Sequence, residues 1–263
     1  MNAFFKNEKK LISLGLERGG AFLYEETDST NTRAKEYLSK MSEPTSPILF
    51  AAKKQSMGRG TKGRSFLSSE ETGLWFSLLY TPKRKDFDPC GLTAMAAVAL
   101  LESVRALVGD ELSDGFYIKW VNDLFFGKKK IAGILAERGI AAGGFFGYVI
   151  GIGINLYSSP LPEAISDIAA SVEDVTSKKL KRDELLYEIT RRLIEYLEDP
   201  SGEKILNSYR KMSLPPKTPI SVTRGDLTRS ASIVSIDSSF RLVVEYENGE
   251  REALISADVT VRH

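Results

Sequence analysis

The chain has 263 residues, of which 42% are hydrophobic, and its 36 basic and 35 acidic residues leave a formal net charge of +1. This composition is sufficient for a substantial core, and we expect one large domain plus a small one. The balanced charge excludes a global basic field for nucleic acid or anionic lipid, so any anion must be recognised locally. The single cysteine, Cys90, excludes an internal disulfide framework and favours a reducing compartment, the cytoplasm.

Two further exclusions concern targeting and catalysis. The N-terminus lacks the uninterrupted apolar core of a signal peptide, and we expect no segment that is apolar for the length of a membrane span. The one histidine, His263, is the last residue, so histidine-based triads and metal clusters are not expected. Lysine, arginine and carboxylate side chains must therefore carry any catalysis.

The first part of the chain predicts strands at residues 21–25, 48–52 and 74–80, and a helix from about 28 to 41 that is opened by capping residues. Between the second and third strands lies Gln55-Ser-Met-Gly-Arg-Gly-Thr-Lys-Gly-Arg64. This stretch is predicted to be a flexible, cationic loop suited to wrapping an anion.

The middle of the chain predicts a long helix and a meander. Apolar residues recur at helical spacing over residues 91–108, and strand-like runs follow at 116–126, 130–137 and 145–152. Turns at 127–128 and 139–144 separate these runs, which indicates an antiparallel meander.

The last part predicts helices at 183–198 and 203–212, then strands at 220–222, 231–236, 242–246 and 259–262. An Asn248-Gly249 pair is typical of a hairpin turn. We therefore expect an α+β fold, with a mixed, largely antiparallel sheet and packed helices in residues 1–213 and a small β-barrel in residues 214–263.

Two more motifs accompany the basic loop. Lys119-Trp-Val-Asn-Asp123 continues to Lys130-Ile-Ala-Gly133, and Gly151-Ile-Gly-Ile-Asn155 follows. Each is weak evidence alone, but together they indicate chemistry on a phosphate and predict ATP-dependent activation of a carboxylic acid. Carboxylate attack on a phosphate brings like charges together, so cations must offset the repulsion. Arg59, Arg64 and Lys130 are the candidates.

Structural interpretations of the same residues stay open. Ser29 and Thr30 fit simple helix caps, the lysines at 128–130 fit a solvated turn, and the glycines at 151 and 153 fit close backbone packing. Trp120 fits a core or pocket-wall aromatic residue, because indole offers one donor and no titratable group. Cys90 fits an incidental position at a helix entrance.

These motifs, with Asp28-Ser-Thr-Asn31 before them and the C-terminal strands after them, resemble the biotin–protein ligases in order and spacing. The resemblance implies a ligase that makes biotinyl-5'-AMP from biotin and ATP with Mg²⁺, then transfers biotin to a lysine of a carboxylase carrier domain. It implies that the C-terminal barrel is SH3-like. About twenty residues precede the first strand, too few for the winged-helix domain of the repressor members, so gene repression is not expected.

The resemblance also implies roles for residues of this sequence. Lys130, Arg59 and Arg64 would be catalytic, and Asp123 would lie near Mg²⁺. Biotin would contact Ser29, Thr30, Asn31, Gln55, Gly58, Arg59, Gly60, Thr61, Lys130 and Gly133. ATP would contact Arg59, Arg64, Lys119, Trp120, Asn122, Asp123, Lys130 and Asn155. The glycines at 58, 60 and 63 would let residues 56–67 close over the ligand and exclude water.

The chain departs from the family pattern at three positions. Thr61 stands where arginine is common, Phe66 where tryptophan is frequent and Val121 where proline is usual, and altered affinity or leakage of the adenylate is expected. A lipoate–protein ligase or octanoyltransferase is the alternative within the same fold, and a non-enzymatic nucleotide sensor is the alternative of another class. The sequence leaves monomer and homodimer open and does not identify the carrier protein.

Overall fold

The computed structural model describes residue 16 and residues 20–45, 47–68, 71–82, 89–198, 202–255 and 257–262. The prediction about His263 lies outside these residues. At the centre is a seven-stranded mixed sheet in the order β1-β2-β3-β7-β6-β5-β4. Its strands are β1 (Ala21–Thr27), β2 (Ile48–Gln55), β3 (Gly73–Tyr80), β4 (Phe116–Lys119), β5 (Asp123–Phe126), β6 (Lys129–Ile140) and β7 (Phe146–Asn155).

The sheet is parallel only between β1 and β2, and every other neighbouring pair is antiparallel. The described helices are α1 (Thr30–Lys40), α2 (Pro89–Val108), α3 (Asp110–Ser113), α4 (Glu163–Ser166), α5 (Val172–Thr176), α6 (Arg182–Glu198) and α7 (Gly202–Met212). The predicted α+β class and largely antiparallel sheet are confirmed. Helices α3, α4 and α5 were not predicted, because four or five residues are too few to show a helical period.

Helix α2 is the central core helix. Residues 91–101 are all buried, because β6 and β7 pack against one side of the helix while α6 and α7 pack against others. Within it, Cys90–Val108 is long and apolar enough to cross a membrane by length and composition, and 78% of this apolar window is buried inside the protein. The expectation that no segment reaches that length is therefore wrong, since a helix covered on all sides is apolar all round.

The prediction of one strand over residues 116–126 is also wrong. The chain turns at residues 120–122, so that β4 and β5 form a hairpin in which Lys119 pairs with Asp123. The turn is held from outside the sheet, because the Trp120 indole donates to Phe240 O at 2.9 Å and the Tyr209 hydroxyl donates to Val121 O at 3.0 Å. These distant partners leave no local signal in the sequence.

The C-terminal region is a five-stranded antiparallel sheet in the order β11-β10-β9-β8-β12. Gly249, at φ 81°, lies in the turn between β10 and β11, which confirms the predicted hairpin. Strand β11 was not predicted, because its residues are mainly charged or partly exposed. The strands are β8 (Pro219–Arg224), β9 (Leu227–Ile236), β10 (Leu242–Tyr246), β11 (Arg251–Leu254) and β12 (Asp258–Val261).

The two sheets share one continuous hydrophobic core. Phe240 packs edge-on against the Tyr209 ring with centroids 5.7 Å apart, and Arg210 Nε donates to Ile236 O at 2.8 Å. The C-terminal sheet is thus fixed against the helices and the β4–β5 turn. This arrangement brings β12 to the edge of the basic loop.

Candidate active site

Residues 58–66 of the basic loop form a small hairpin, called the basic hairpin below. Arg59 and Ser65 form an antiparallel bridge, Gly60 N donates to Arg64 O at 2.7 Å, and Phe66 N donates to Gly58 O at 2.9 Å. Its tip is a 3-10 turn, Thr61–Gly63. These bonds give the loop a defined backbone in spite of its glycines.

The basic hairpin borders a pocket that is called the inner pocket below. Nine of the ten residues predicted to contact biotin line it, although they come from five segments of the chain. The tenth, Gly58, lines the adjoining pocket instead. The nine are Ser29, Thr30, Asn31, Gln55, Arg59, Gly60, Thr61, Lys130 and Gly133.

A chain of buried polar groups lies beneath the inner pocket. Gln55 Oε1 accepts from Thr30 N at 2.8 Å and from the Thr30 hydroxyl at 3.1 Å, and Gln55 Nε2 donates to Ser68 Oγ at 3.1 Å. The Ser77 hydroxyl lies 2.7 Å from Thr30 Oγ1 and 2.6 Å from Asn31 Oδ1. A network satisfied in this way holds its side chains in fixed orientations.

The start of α1 differs from the simple capping interpretation. Ser29 occupies the N-cap position, but its side chain makes no capping hydrogen bond, and instead Asp28 Oδ1 accepts from Ser29 N at 2.6 Å. Ser29 and Thr30 are both buried at the pocket. Both residues therefore face the inner pocket, and the Thr30 hydroxyl bonds to the polar chain beneath it, whereas the Ser29 side chain does not cap the helix.

Lys130 is held between β5 and a neighbouring segment. Its backbone N donates to Ile168 O at 2.8 Å, and Ala170 N donates to its carbonyl at 3.1 Å. Lys130 Nζ lies 2.7 Å from Asp123 Oδ1, across a β5–β6 pairing whose register shifts beside Leu124. Two-sided backbone bonding and the ion pair fix the ammonium group at the inner pocket.

A wider outer pocket adjoins the inner one and shares Lys130 with it. Among the described residues, four basic side chains line the outer pocket, from positions 64, 119, 128 and 130, against one carboxylate, Asp123. Asn155 lines it at the end of β7, and Thr260 and Val261 line it from β12. The excess of positive charge makes this pocket suitable for a polyanion.

Lys119 is a partly buried cation of the outer pocket. Burial lowers its pKa from the ordinary value, and the nearby charges of Lys130 and Arg64 lower it further, against the opposing effect of Asp123 and Asp258. Its Nζ lies 4.9 Å from the centre of the Phe125 ring. A bound anion would stabilise the charged form of Lys119, which burial disfavours.

Glycines allow other groups to approach β6 and β7. A Cβ at Gly151 would collide with the Asn31 carboxamide, and a Cβ at Gly153 would lie 3.0 Å from the Phe66 ring. A Cβ at Gly133 would lie 3.2 Å from the same ring. The packing interpretation of Gly151 and Gly153 is thus confirmed, and both residues also line the inner pocket.

Other predicted site residues are placed as follows. Asn122 lines the inner pocket and its Nδ2 donates to Ile134 O at 2.8 Å, while Arg64 lines the outer pocket and its Nη2 lies 2.9 Å from Asp258 Oδ2. Trp120 lines neither pocket and is 7% exposed. Its burial fits the core interpretation, and a contact with ATP stays a prediction without support from this placement.

Three polar residues of the site were not predicted: Ser68, Ser77 and Glu137. Ser77 and Ser68 complete the polar chain, and Glu137 accepts a hydrogen bond from Asn31 Nδ2 at 3.0 Å. Ser77 lies on β3 and Glu137 on β6, while Ser68 lies in the connection between β2 and β3. Their roles depend on partners far away in sequence, so no local signal could have identified them.

Among the described residues, no group of three or more histidine, cysteine, aspartate or glutamate side chains could hold a metal ion. A site built from protein ligands alone is therefore not present in that part of the chain. Within the described residues, Asp123 is the carboxylate that lines the outer pocket.

Comparison with known proteins identifies the fold and the family. A model of the biotin/lipoate A/B protein ligase family matches residues 23–155, slightly more than half of the chain. The bifunctional ligase/repressor BirA of Bacillus subtilis is 31% identical over 166 residues, which are 62% of this chain and 50% of that protein. The biotin--[acetyl-CoA-carboxylase] ligase of Paracoccus denitrificans is 26% identical over 239 residues, which are 89% of this chain and 97% of that protein.

The solved structures agree with these relatives. The biotin protein ligase of Aquifex aeolicus in complex with biotin and ATP has a TM-score of 0.76 and 26% identity, covering 92% of this chain and 98% of that one. The alignment with the Bacillus relative spans about half the length of that protein. Because the family model covers half of the sequence and contains every residue that lines the inner pocket, the chain belongs to the biotin/lipoate A/B protein ligase family.

Proposed function

We propose that this protein is an ATP-dependent ligase that adenylates biotin and transfers it to a lysine of a carboxylase carrier domain. The observation that carries the proposal is the meeting of Arg59, Lys130 and Asn122 at one inner pocket that opens on a cationic outer pocket. An organic acid and a nucleotide need two adjoining compartments of this kind. The likeness to the Aquifex structure, whose ligands are biotin and ATP, supports the same pairing.

The inner pocket suits a molecule with an apolar body and one polar edge. Phe66, Phe76 and Ile152 supply apolar walls, while Ser29 and Thr30 supply hydroxyls at the floor. Biotin combines an apolar bicycle with a ureido edge that must not be left unpaired on burial. The polar chain through Gln55 therefore supports biotin as the acid.

Lys130 belongs to both pockets, and this position suits the adenylation step. When the acid's carboxylate oxygen attacks the α-phosphorus, a new oxygen–phosphorus bond forms and pyrophosphate departs. Lys130 would neutralise the negative charge that accumulates where the two anions meet, and Arg59 would hold the acid's end of the pair. Arg64 and Lys119 would offset the charge on the departing phosphates.

Two ion pairs must rearrange for this chemistry. Lys130 Nζ pairs with Asp123 at 2.7 Å, and Arg64 pairs with Asp258 at 2.9 Å. A phosphate carries more charge than a carboxylate and accepts several donors, so it competes well for both cations. Asp123, once its lysine turns toward phosphate, could accept Mg²⁺ that arrives with ATP. When bound, Mg²⁺ would neutralise triphosphate charge.

The basic hairpin would also protect the adenylate. Its residues 59–61 border the inner pocket, and its residues 64–66 border the outer pocket. Closure of residues 56–67 over both compartments would exclude the water that hydrolyses a mixed anhydride. The carrier lysine would then attack the acyl carbon, forming the amide and releasing AMP.

The test is ATP–pyrophosphate exchange, measured with biotin, lipoate, octanoate or no acid, followed by transfer to an apo carrier domain. Biotin-dependent exchange and labelling of the carrier are expected. Exchange with lipoate alone would identify the lipoate-activating branch of the same family. Nucleotide binding without any exchange would identify a sensor and overturn the ligase proposal.

Three observations favour biotin over lipoate. The Gly-Arg-Gly-Thr-Lys-Gly-Arg loop and the C-terminal sheet both match the pattern of the biotin branch, and the Paracoccus relative carries the name of a biotin ligase. An acyltransferase that uses a cysteine nucleophile would need Cys90, which lies in α2 and lines neither pocket. Retained activity in Cys90→Ala would exclude that branch.

We also propose that residues 214–263 form an SH3-like barrel domain beside a catalytic domain of residues 1–213. Five short antiparallel strands and the bulge between β9 and β10 support this division. The proposed setting is the cytoplasm, without nucleic acid, which the single cysteine and the net charge of +1 support. Analytical ultracentrifugation with and without biotin and ATP would distinguish a monomer from a homodimer.

A further inference from the structure

Glu137 is a carboxylate beside the inner pocket that lines neither compartment. It lies on β6, and its side chain is 17% exposed. Asn31 Nδ2 donates to Oε2 at 3.0 Å, while Lys35 Nζ and Arg59 Nη2 lie 3.0 Å and 3.3 Å from Oε1. One carboxylate thus joins helix α1, strand β6 and the basic hairpin.

The carboxylate organises the cations without cancelling them. Lys35 and Arg59 face one negative charge, so the group of three keeps one net positive charge. Glu137 remains ionised at neutral pH, because the donors Asn31 and Lys35 and the charge of Arg59 outweigh the effect of burial and lower its pKa below the ordinary value. A permanent anion at this place can hold a guanidinium group.

Arg59 keeps free capacity for a ligand while it bonds to Glu137. A guanidinium group has five N–H donors, and the ion pair with Glu137 is formed through Nη2. The Arg59 side chain is 45% exposed and borders the inner pocket. Glu137 therefore fixes the direction of the group at one end while other donors face the pocket.

We propose that Glu137 is a positioning residue, which anchors Arg59 and through it the basic hairpin so that the guanidinium group is ready for the anionic end of the substrate. The inference rests on the proposed function for its substrate, but the anchoring itself does not. Glu137 touches no reacting group and acts through Arg59. An arginine without this anchor would lose rotamer freedom at each binding event, which weakens binding.

A double-mutant cycle separates this role from a general structural one. Glu137→Gln keeps the shape and the acceptor for Asn31 but removes the charge, and we expect it to lower kcat/KM for the acid in pyrophosphate exchange about tenfold. In an Arg59→Ala background the same change should alter kcat/KM less than about twofold. If the losses in kcat/KM of the two single variants multiply in the double variant, Glu137 acts independently of Arg59 and the proposal is overturned.

The chain offers a matched control. Glu36 pairs with Arg33 at 2.9 Å on the exposed face of α1, outside both pockets. Glu36→Gln removes a carboxylate from an ion pair with an arginine in the same part of the fold, and kcat/KM should stay within about twofold of the unmodified protein. A loss equal to that of Glu137→Gln would show a general sensitivity to charge and overturn the specific role.

A second readout needs no substrate. Hydrogen exchange of the Gly60 and Phe66 amides, which donate to Arg64 O and Gly58 O, reports opening of the basic hairpin. Glu137→Gln should speed their exchange about tenfold relative to Glu36→Gln. Equal rates would overturn the anchoring role. If the unmodified protein shows no acid-dependent exchange of pyrophosphate, the proposed function fails, and this measurement still decides the role of Glu137.

Discussion

Lys130 is the residue on which we expect the chemical step to depend most. Lys130→Ala removes the ammonium group shared by the two pockets, and adenylate formation should fall about 10³-fold because stabilisation of the transition state is lost. Lys129→Ala is the matched control, since Lys129 is its neighbour on β6 but bonds to Ser166 O. Pyrophosphate exchange measures both, and near-normal turnover in Lys130→Ala would exclude the role given to it.

Lys119 should make nucleotide binding depend on pH. Burial lowers its pKa, so Lys119 loses its proton at a lower pH than an exposed lysine does. Affinity for ATP should be greatest below this lowered pKa and should fall as the pH rises through it, because the neutral amine no longer attracts phosphate. Calorimetric titration from about pH 7 to about pH 10 measures the effect. In Lys119→Gln this part of the pH dependence should disappear, and a retained slope would assign it elsewhere.

At the scale of elements, the basic hairpin depends on Gly58. A Cβ at this position would collide with the Ser68 hydroxyl and the Phe66 carbonyl, whereas a Cβ at Gly60 would lie 3.3 Å from Arg64 O. Gly58→Ala should therefore open the hairpin and lower adenylate formation by about tenfold or more, while Gly60→Ala should have a smaller effect. Pyrophosphate exchange and limited proteolysis measure the two outcomes. Equal losses would contradict the steric argument.

Closure of the same element over the ligands is a separate prediction. The backbone bonds inside residues 58–66 allow the hairpin to move as a unit, and its side chains Arg59 and Arg64 pair with carboxylates on two different sheets. Biotin with MgATP should protect residues 56–67 from protease, because bound anions hold both arginines. Cleavage that is unaffected by the ligands would require the closing-lid idea to be abandoned.

At the scale of the whole molecule, the Trp120 indole joins the β4–β5 turn to the C-terminal sheet through Phe240 O at 2.9 Å. Trp120→Phe leaves this buried carbonyl without its donor and leaves a small cavity, so the free energy of unfolding should fall by about 2–3 kcal/mol. Tyr117→Phe, which removes an exposed bond to Gly127 O, should cost less than about 1 kcal/mol. Urea unfolding measures both, and equal costs would contradict the role of Trp120.

Local sequence patterns were enough to predict the most regular elements and to name candidate residues that the fold then brings to the inner pocket. The period of α2, the apolar strands β2 and β3 and the glycine-rich basic loop are local properties, so they could be predicted at residues 91–108, 48–52, 74–80 and 55–64. The order of the motifs was sufficient to reveal a resemblance to a family, and the comparisons then confirmed that family. The grouping of the motifs was therefore predictable from residue types and spacing, while the chemical roles of their residues stay predictions.

Which residues meet, and how each is held, depends on the three-dimensional fold. The turn at 120–122 depends on Phe240 and Tyr209, and Glu137 obtains its role from Asn31 and Arg59, which lie 106 and 78 positions away in the chain. None of these contacts can be predicted from the local sequence pattern. Burial, ion pairing and hydrogen bonding are properties of groups in contact, and a linear sequence carries the groups but not the distances between them.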